Sequence, residues 1–367
     1  MSASVLIAGG GTGGHLFPGL AVAAELRRLR PELRLAVVGA GRALESELVA
    51  RAGLTAERLK VRALRGQGLW GRLRALAVLP GAVWGALGLI RRYRPGLVLA
   101  VGGYAAFPLG LAAFLARVPL AVQEQNAVLG MTNRALSRLA RVVFTSFPTA
   151  GQGLPERKVL FTGNPVRPEL LAQAEKHRAE RPEPARRFNL LVLGGSQGAR
   201  SINRALCAAL PLLAGFKDRL SITHQTGRAD LEEVRRAYND SGLEHEVADF
   251  FDDMGRRYAL AHLVVCRSGA GTVTELAAVG RAAICVPYPY SAGGHQEKNA
   301  AALAEAGGAQ VIQDAELSGE LLARRVREFM DQPARLAEME TAARSLGQPQ
   351  AALRIAEHCL AIMEGNA

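Results

Sequence analysis

The chain has 367 residues, 49% of them apolar and 21% charged, which is the balance of a soluble protein with a buried core and room for two domains or three. General disorder is excluded. Its four cysteines, Cys207, Cys266, Cys285 and Cys359, stand far apart without a Cys-x-x-Cys pair, which argues against a disulfide scaffold, a zinc ribbon and thioredoxin-like redox chemistry. The net charge of +12 is uneven: residues 1–163 carry 21 Lys and Arg against 7 Asp and Glu, and the remainder 24 against 26, so the first half suits a polyanionic surface, nucleic acid or anionic lipid.

The opening MSASVLIAGG has no basic n-region, so a reducing, cytoplasmic setting with free thiols is expected. The first predicted strand, residues 5–8, runs into the glycine turn GGGTGGH. Strands follow at 35–38, 97–101, 120–122, 142–145 and 159–161, with Ala/Leu/Arg-rich helical segments between most of them. Two uncharged stretches lie in this half. Residues 75–90 are too short to span a bilayer and contain Pro80. Residues 95–116 are long enough but divide into strand, Gly102-Gly103-Tyr104 turn and helix, so no transmembrane span is expected.

A second series opens at 190–193 with LLVLGGSQGAR and continues at 220–223, 246–248, 263–266, 283–286 and 309–312. The two openings rhyme: apolar strand, glycine turn, helix. Alternating strands and helices predict parallel α/β sheets, so two Rossmann-like domains in tandem are expected. The first covers 1–163, joined by a C-terminal helix at about 345–367, and the second 164–344. The linker falls in GNPVRP at 163–168 and the charged, proline-bearing run 172–187.

Gly9, Gly11 and Gly14 satisfy G-x-G-x-x-G after a strand, a weak signal for a dinucleotide. No acidic residue closes the second strand to hold a ribose, although Arg42 leaves an NADP ligand open. A P-loop fails because His15 stands where lysine belongs. Further glycine turns at Gly102-Gly103, Gly194-Gly195 and Gly269-Ala270-Gly271 exceed what one dinucleotide needs. They suit two diphosphate ligands held by backbone N–H groups at helix N-termini, or else they are simply tight turns.

In CRSGAGTVTE, residues 266–275, a strand end turns through glycines into a helix whose N-terminus favours phosphate. Thr272 and Thr274 carry hydroxyls. Glu275, one turn in, either accepts both ribose hydroxyls or merely complements the helix dipole. Asp249-Phe250-Phe251-Asp252-Asp253-Met254 reads as a site near a nucleobase or as an ordinary cap and core aromatic. Residues 295–299, HQEKN, either face the same cleft or start a surface helix. No Asp-x-Asp occurs, so a metal-bridged sugar-nucleotide site lacks its usual ligands.

In order along the chain stand GGGTGGHLFPGLAVA (9–23), GGY (102–104), EQNAVLGMTN (124–133), GNPVR (163–167), GGSQGA (194–199), FDDM (251–254) and CRSGAGTVTE (266–275). This ordered set resembles the bacterial undecaprenyldiphospho-muramoylpentapeptide β-N-acetylglucosaminyltransferases of peptidoglycan synthesis, members of glycosyltransferase family 28. It covers nearly the whole chain. The resemblance implies a GT-B fold, two Rossmann-like domains facing across a cleft, and inverting transfer of N-acetylglucosamine from its UDP derivative to the 4-hydroxyl of the muramoyl sugar of lipid I. No cofactor and no metal are implied.

By motif, Glu275 would hold the ribose, the backbone at Phe251 would read uracil, and Ser196, Arg167 and Ala270, Gly271, Thr272, Val273 and Thr274 would surround the diphosphate. Asn126, Gln296, Thr12, Gly13 and Gly14 would approach the sugar. Gly102, Gly103, Tyr104 and Glu124 would lie on the acceptor side, and His15 would be the general base. Two positions depart from the family's pattern. Gln123 stands where a histidine is usual, so no histidine there is required, and Phe251 replaces an aliphatic residue, which a backbone contact would survive.

Leu69, Trp70, Leu73 and Leu76 recur at helical spacing beside Arg65, Arg72 and Arg74. Val83, Trp84 and Leu87 continue after Pro80, and Arg91, Arg92 and Arg94 follow. Such a segment suits the surface of an anionic membrane, at the cytoplasmic face and peripheral, or else it packs as the core stripe of a Rossmann helix. The rival readings are a glycosyltransferase acting on diacylglycerol, an NADP oxidoreductase and a nucleic-acid binder. The last lacks aromatic platforms and a helix-turn-helix signal, so nucleic acid is not an expected partner.

Overall fold

The computed structural model describes residues 3–10, 13–41, 43–61, 69–195 and 197–366, with the side chains of 13, 44 and 69–76 outside that description. The chain divides into two compact units, Met1–Arg167 with Pro349–Ala367, and Pro168–Gln348.

The first unit runs β1 (Ser4–Ala8), α1 (Gly13–Leu29), β2 (Arg34–Gly39), α2 (Ala43–Arg51), β3 (Thr55–Arg58), α3 (Leu69–Tyr93), β4 (Leu97–Ala100), α4 (Ala106–Leu115), β5 (Leu120–Glu124), α5 (Met131–Ser137), β6 (Val142–Thr145) and β7 (Val159–Phe161). All seven strands are parallel, in the order β3-β2-β1-β4-β5-β6-β7. Alternate side chains of each strand serve opposite faces. Val5 and Ile7 join a core with Val22 and Leu26 of α1, whereas Leu6 and Ala8 join one with Ala86, Ile90, Leu109 and Leu136 of α3, α4 and α5. Burial on both faces is what makes β1, β2, β4 and β6 near-continuous apolar runs.

The second unit runs α6 (Pro168–His177), β8 (Phe188–Leu193), α7 (Arg200–Leu213), β9 (Leu220–Gln225), α8 (Leu231–Asn239), β10 (Glu244–Ala248), α9 (Met254–Leu260), β11 (Leu263–Cys266), α10 (Ala270–Val279), β12 (Ala282–Cys285), α11 (His295–Glu305), β13 (Ala309–Val311), α12 (Gly319–Asp331) and α13 (Pro333–Ser345). Its six parallel strands take the order β10-β9-β8-β11-β12-β13. Finally α14 (Ala351–Met363) returns to the first unit, where Ile355, Ala356, Cys359 and Ile362 join the α1 side of the core.

In both sheets the strand order reverses beside the opening strand, between β1 and β4 and between β8 and β11. Ligands of doubly wound sheets bind at such switch points, off the carboxyl ends of the strands.

The structure departs from the sequence reading in two places. It adds β3, whose sequence Thr-Ala-Glu-Arg carries no apolar alternation because it is the exposed edge of the sheet. The run expected as linker holds the division between the units but also contains α6, which buries Leu170 and Ala174 against α9. Gly255 makes that approach close, since a Cβ there would lie 2.3 Å from the Leu170 carbonyl oxygen. As the stripe continuing after Pro80 suggested, α3 runs unbroken through that proline, its later half anchored by buried Ala82, Ala86 and Ile90. A proline costs the helix one hydrogen bond, and packing offsets it.

Candidate active site

At the switch point of the first sheet the glycine turns are dictated by space. Gly102 and Gly103, just after β4, hold φ of 100° and 84°, a region that disfavours side chains. A Cβ on Gly102 would lie 2.8 Å from Nδ1 of His15, and one on Gly103 2.2 Å from the carbonyl oxygen of Gly10. The loops after β1 and β4 therefore meet, and they meet on His15, in the first turn of α1. Tyr104 is half-buried in the same turn, and Gly14 is exposed.

The loop after β5 supplies the third wall. His15 Nδ1 lies 2.9 Å from Oε1 of Gln125, a fully buried amide whose nitrogen donates to the carbonyl of Val101 at 2.6 Å and to that of Gln123 at 3.2 Å. The carboxylate of Glu124 is buried too. It accepts the backbone and side-chain N–H of Asn126, both at 3.0 Å, the Gly130 N–H at 2.9 Å and the Asn133 amide at 2.9 Å. Glu124 is thus placed to shape the loop that presents Asn126. Arg167 closes the first unit with its guanidinium 4.8 Å from the Phe17 ring centre, two residues from His15.

The second switch point centres on α10. Gly269 leads in with φ −61° and ψ 146°, and Val273 is the first residue to donate back into the helix, at 3.0 Å to the Gly269 carbonyl. The N–H groups of Ala270, Gly271 and Thr272 belong to the unpaired first turn, the positive end of the helix dipole. Cβ atoms at Gly269 or Gly271 would meet nothing within 4 Å, so the approach is open. Val273 is buried, and the Thr274 hydroxyl turns back to the carbonyls of Ala270 and Gly271, at 2.8 and 3.0 Å. Half-buried Glu275 accepts from the Tyr258 hydroxyl at 3.0 Å.

Ser268, fully buried, fastens this loop to the start of α11. Its hydroxyl donates to the Gln296 carbonyl at 2.8 Å, and its own carbonyl accepts from Asn299 at 3.2 Å. The Gln296 side chain in turn accepts the Tyr288 N–H at 2.9 Å. On the far side of the switch point, Gln225 at the end of β9 donates to the Gly195 carbonyl at 3.1 Å and accepts the Phe251 N–H at 3.1 Å. The Phe251 ring is buried beneath the Arg257 guanidinium, 4.3 Å away, so what this residue offers a ligand is backbone.

The structure therefore brings His15, Gly102, Gly103, Tyr104, Glu124 and Asn126 together in one unit. It brings Ala270, Gly271, Thr272, Val273, Thr274, Glu275 and Gln296 together in the other, with Phe251 tied to the Gly195 loop. Arg167 falls in the first unit. Thr12 and Ser196 lie outside the described residues, and so do the side chains of Gly13, Leu69, Trp70, Leu73 and Leu76. Trp84 is 71% exposed on α3, with Arg91 5.9 Å from its ring, while Val83 and Leu87 lean on the core. Gln125, Ser268 and Asn299 stand inside the motifs EQN, CRSGAGTVTE and HQEKN, but sequence reasoning gave none of them its own role. It missed Gln225 and Tyr258 altogether, polar residues whose burial only the fold reveals.

Models of glycosyltransferase family 28 match the chain twice, the N-terminal domain over residues 5–145 and the C-terminal domain over 189–355. The UDP-N-acetylglucosamine–N-acetylmuramyl-(pentapeptide) pyrophosphoryl-undecaprenol N-acetylglucosamine transferase of Anaeromyxobacter dehalogenans strain 2CP-1 is 44% identical over 98% of this chain and 93% of its own length. That of Myxococcus xanthus strain DK1622 is 45% identical with the same coverage. The crystal structure of Acinetobacter baumannii MurG superposes with a TM-score of 0.78 at 31% identity, covering 98% of this chain and 99% of that one. UDP-GlcNAc 2-epimerase from Neisseria meningitidis shares the fold, with a TM-score of 0.70 at 15% identity, covering 98% of this chain and 100% of that one. The chain belongs to glycosyltransferase family 28, and its two parallel-sheet units are those of the GT-B glycosyltransferases.

Proposed function

We infer that this protein transfers N-acetylglucosamine from UDP-N-acetylglucosamine to the 4-hydroxyl of the muramoyl sugar of undecaprenyl-diphospho-muramoylpentapeptide, turning lipid I into lipid II. The observation that carries the reading is the kinship at 44% identity over 98% of the chain with relatives named for this transfer. The site geometry agrees with it: a histidine at one switch point, and at the other a helix N-terminus with a carboxylate one turn in.

In this reading the second unit holds the donor. The first turn of α10 receives the diphosphate, where its N–H groups stabilise the charge that grows as the sugar–phosphate bond breaks. Glu275, oriented by Tyr258, accepts the ribose hydroxyls. Gln296 approaches the sugar, and the Phe251 backbone faces uracil. The first unit holds the acceptor beside Gly102, Gly103 and Tyr104. His15 takes the proton of the attacking hydroxyl as that oxygen reaches the anomeric carbon from the face opposite UDP, which inverts α to β. Asn126, held by Glu124, and Arg167 complete the polar surroundings.

No helix among the described residues is long and apolar enough to cross a membrane. A peripheral position at the cytoplasmic face, on anionic lipid, is supported by the positive charge of residues 1–163 and by exposed Trp84 beside Arg91.

The test is transfer of labelled sugar to a lipid I analogue. Label from UDP-N-acetylglucosamine should reach the acceptor with release of UDP, and label from UDP-glucose should not. Equal transfer from both, or transfer to diacylglycerol instead, overturns the reading.

A further inference from the structure

We propose that Gln125 is the positioning residue of the transfer, fixing the tautomer of His15 so that its Nε2, not its Nδ1, receives the acceptor's proton. The proposal rests on the reading of His15 as the base.

The argument starts from the amide. The Gln125 side chain is fully buried, and its two ends cannot exchange. Among the described residues its Nε2 faces only acceptors: the Val101 carbonyl at 2.6 Å, the Gln123 carbonyl at 3.2 Å and the Gln123 side-chain oxygen. An amide turned the other way would set oxygen against three oxygens. Gln123 cannot turn either, because its own nitrogen donates to Ser146 Oγ at 3.2 Å and to Asn164 Oδ1 at 3.1 Å. Each member of the relay is thereby oriented by the next.

Oε1 of Gln125 is what remains to face His15, 2.9 Å from Nδ1. A carbonyl oxygen only accepts. Neutral His15 must therefore carry its proton on Nδ1, and the lone pair sits on Nε2 at the far side of the ring. When Nε2 takes the acceptor's proton, the Nδ1–H to Oε1 bond becomes charge-assisted and strengthens, so the relay favours the state that follows deprotonation. The same bond fixes the ring plane. Gln125 spans the ends of β4 and β5 and the start of α1, and so ties three elements to one imidazole.

The experiment reads the tautomer directly. The full chain, with its seven histidines labelled with 15N in the ring, is examined by NMR at a pH where His15 is neutral, the His15 signals being assigned by their loss in His15→Ala. The parent should show the Nδ1–H form. In Gln125→Met, which keeps the volume without the carbonyl, the proton should move to Nε2, the preference of an unconstrained histidine. In that variant kcat should fall roughly 10²-fold, the scale of a misplaced catalytic group, with KM within about threefold. Gln125→Glu as the neutral acid, whose O–H donates where the amide nitrogen did while its other oxygen faces Nδ1, should recover part of the Nδ1–H form.

A parent spectrum showing Nε2–H, which needs no variant to fold, overturns the proposal. So does a Gln125→Met protein that keeps both Nδ1–H and its turnover. If the tautomer moves as expected but His15→Ala turns over at the parent rate, the base assignment fails, while the control of the ring by Gln125 stands.

Discussion

The Tyr258 hydroxyl donates to Glu275 Oε2 at 3.0 Å, from the fifth residue of α9 to the sixth of α10. Tyr258 is fully buried, so this bond aims a half-buried carboxylate that the helix alone would leave to rotate. If Glu275 accepts the ribose hydroxyls, Glu275→Ala should weaken donor binding by about 1.5–3 kcal/mol, the worth of a hydrogen bond to a charged group. Tyr258→Phe keeps the packing and removes only the aim, so it should cost about 1 kcal/mol. Calorimetric titration with UDP-N-acetylglucosamine checks both. A Glu275→Ala protein with parental affinity removes Glu275 from the donor site.

His15→Ala should lower turnover by roughly 10²–10⁴-fold, the range for a general base, with donor affinity unchanged. Gly102→Ala approaches the same ring from another direction. It adds a Cβ 2.8 Å from His15 Nδ1 at a residue whose φ is 100°. Turnover should fall at least tenfold while UDP binding, in the other unit, stays intact. Steady-state kinetics with both substrates varied would tell, and a turnover within a few-fold of the parent in His15→Ala would dismiss the base.

Gln123 bears on the same relay. It donates to Ser146 and Asn164 and accepts from Gln125. A neutral histidine offers one donor and one acceptor, enough for one of the two donated bonds and for the accepted one. Gln123→His should therefore stay within a few-fold of the parent rate, whereas Gln123→Leu, which offers neither, should lose at least tenfold. The His variant should also weaken at acid pH, because a protonated ring would set a second donor against the Gln125 amide. Comparable activity of the Leu variant across the pH range would show that the relay does not need Gln123.

These predictions draw on two kinds of residue, and the sequence displays them unequally. The central strands of both sheets were readable as apolar runs because both of their faces are covered. The edge strand Thr55–Arg58 was not, having no buried face to write an alternation. The turns that carry His15, Gly102 and Glu275 were readable because glycines at a strand end mark a strand-to-helix loop. Tyr258, Ser268 and Gln225 were not, since a buried polar residue looks in sequence like any surface one until its partner, 17, 28 or 26 residues away, is brought to it. The tautomer of His15 was equally hidden, because it depends on Val101 and Gln123 acting through Gln125.

Acid stability should turn on two histidines of the second unit. Burial pushes His224 down to about 3 and His262 down to about 4. His224 sits between Asn203 Oδ1 at 3.0 Å and the Tyr238 hydroxyl at 3.2 Å, and His262 between the Asn189 N–H and the Pro182 carbonyl. Both stay neutral in the fold where an unfolded chain, titrating near 6.5, would take up a proton. Stability is thus unaffected above about pH 6.5 and declines as pH falls through the window down to about 4. Each histidine contributes roughly 1.4 kcal/mol per pH unit there. Urea unfolding between pH 7 and 4 should show a shallower acid decline in His224→Gln, which keeps a donor and an acceptor but cannot titrate. An unchanged slope would mean that His224 is not protonated on unfolding in that window.

Trp84 gives the membrane proposal its sharpest test. On α3 the residues Ala82, Ala86 and Ile90 face the core, so Trp84 points away from it, 71% exposed and beside Arg91. An exposed tryptophan with a guanidinium over its ring is suited to the headgroup layer, where the ring meets acyl chains and the cation meets phosphate. Trp84→Ala removes the apolar part and Arg91→Glu reverses the ionic part, and neither side chain supports the core. Each should weaken sedimentation with vesicles rich in anionic lipid, Arg91→Glu by about 1 kcal/mol or more, and added salt should reduce the parent's binding toward that of the Arg91 variant. Turnover on a short-chain, water-soluble acceptor should be untouched in both, which separates loss of the surface from loss of the site. Binding that ignores both substitutions, anionic lipid content and salt would place the membrane contact elsewhere on the chain, or nowhere.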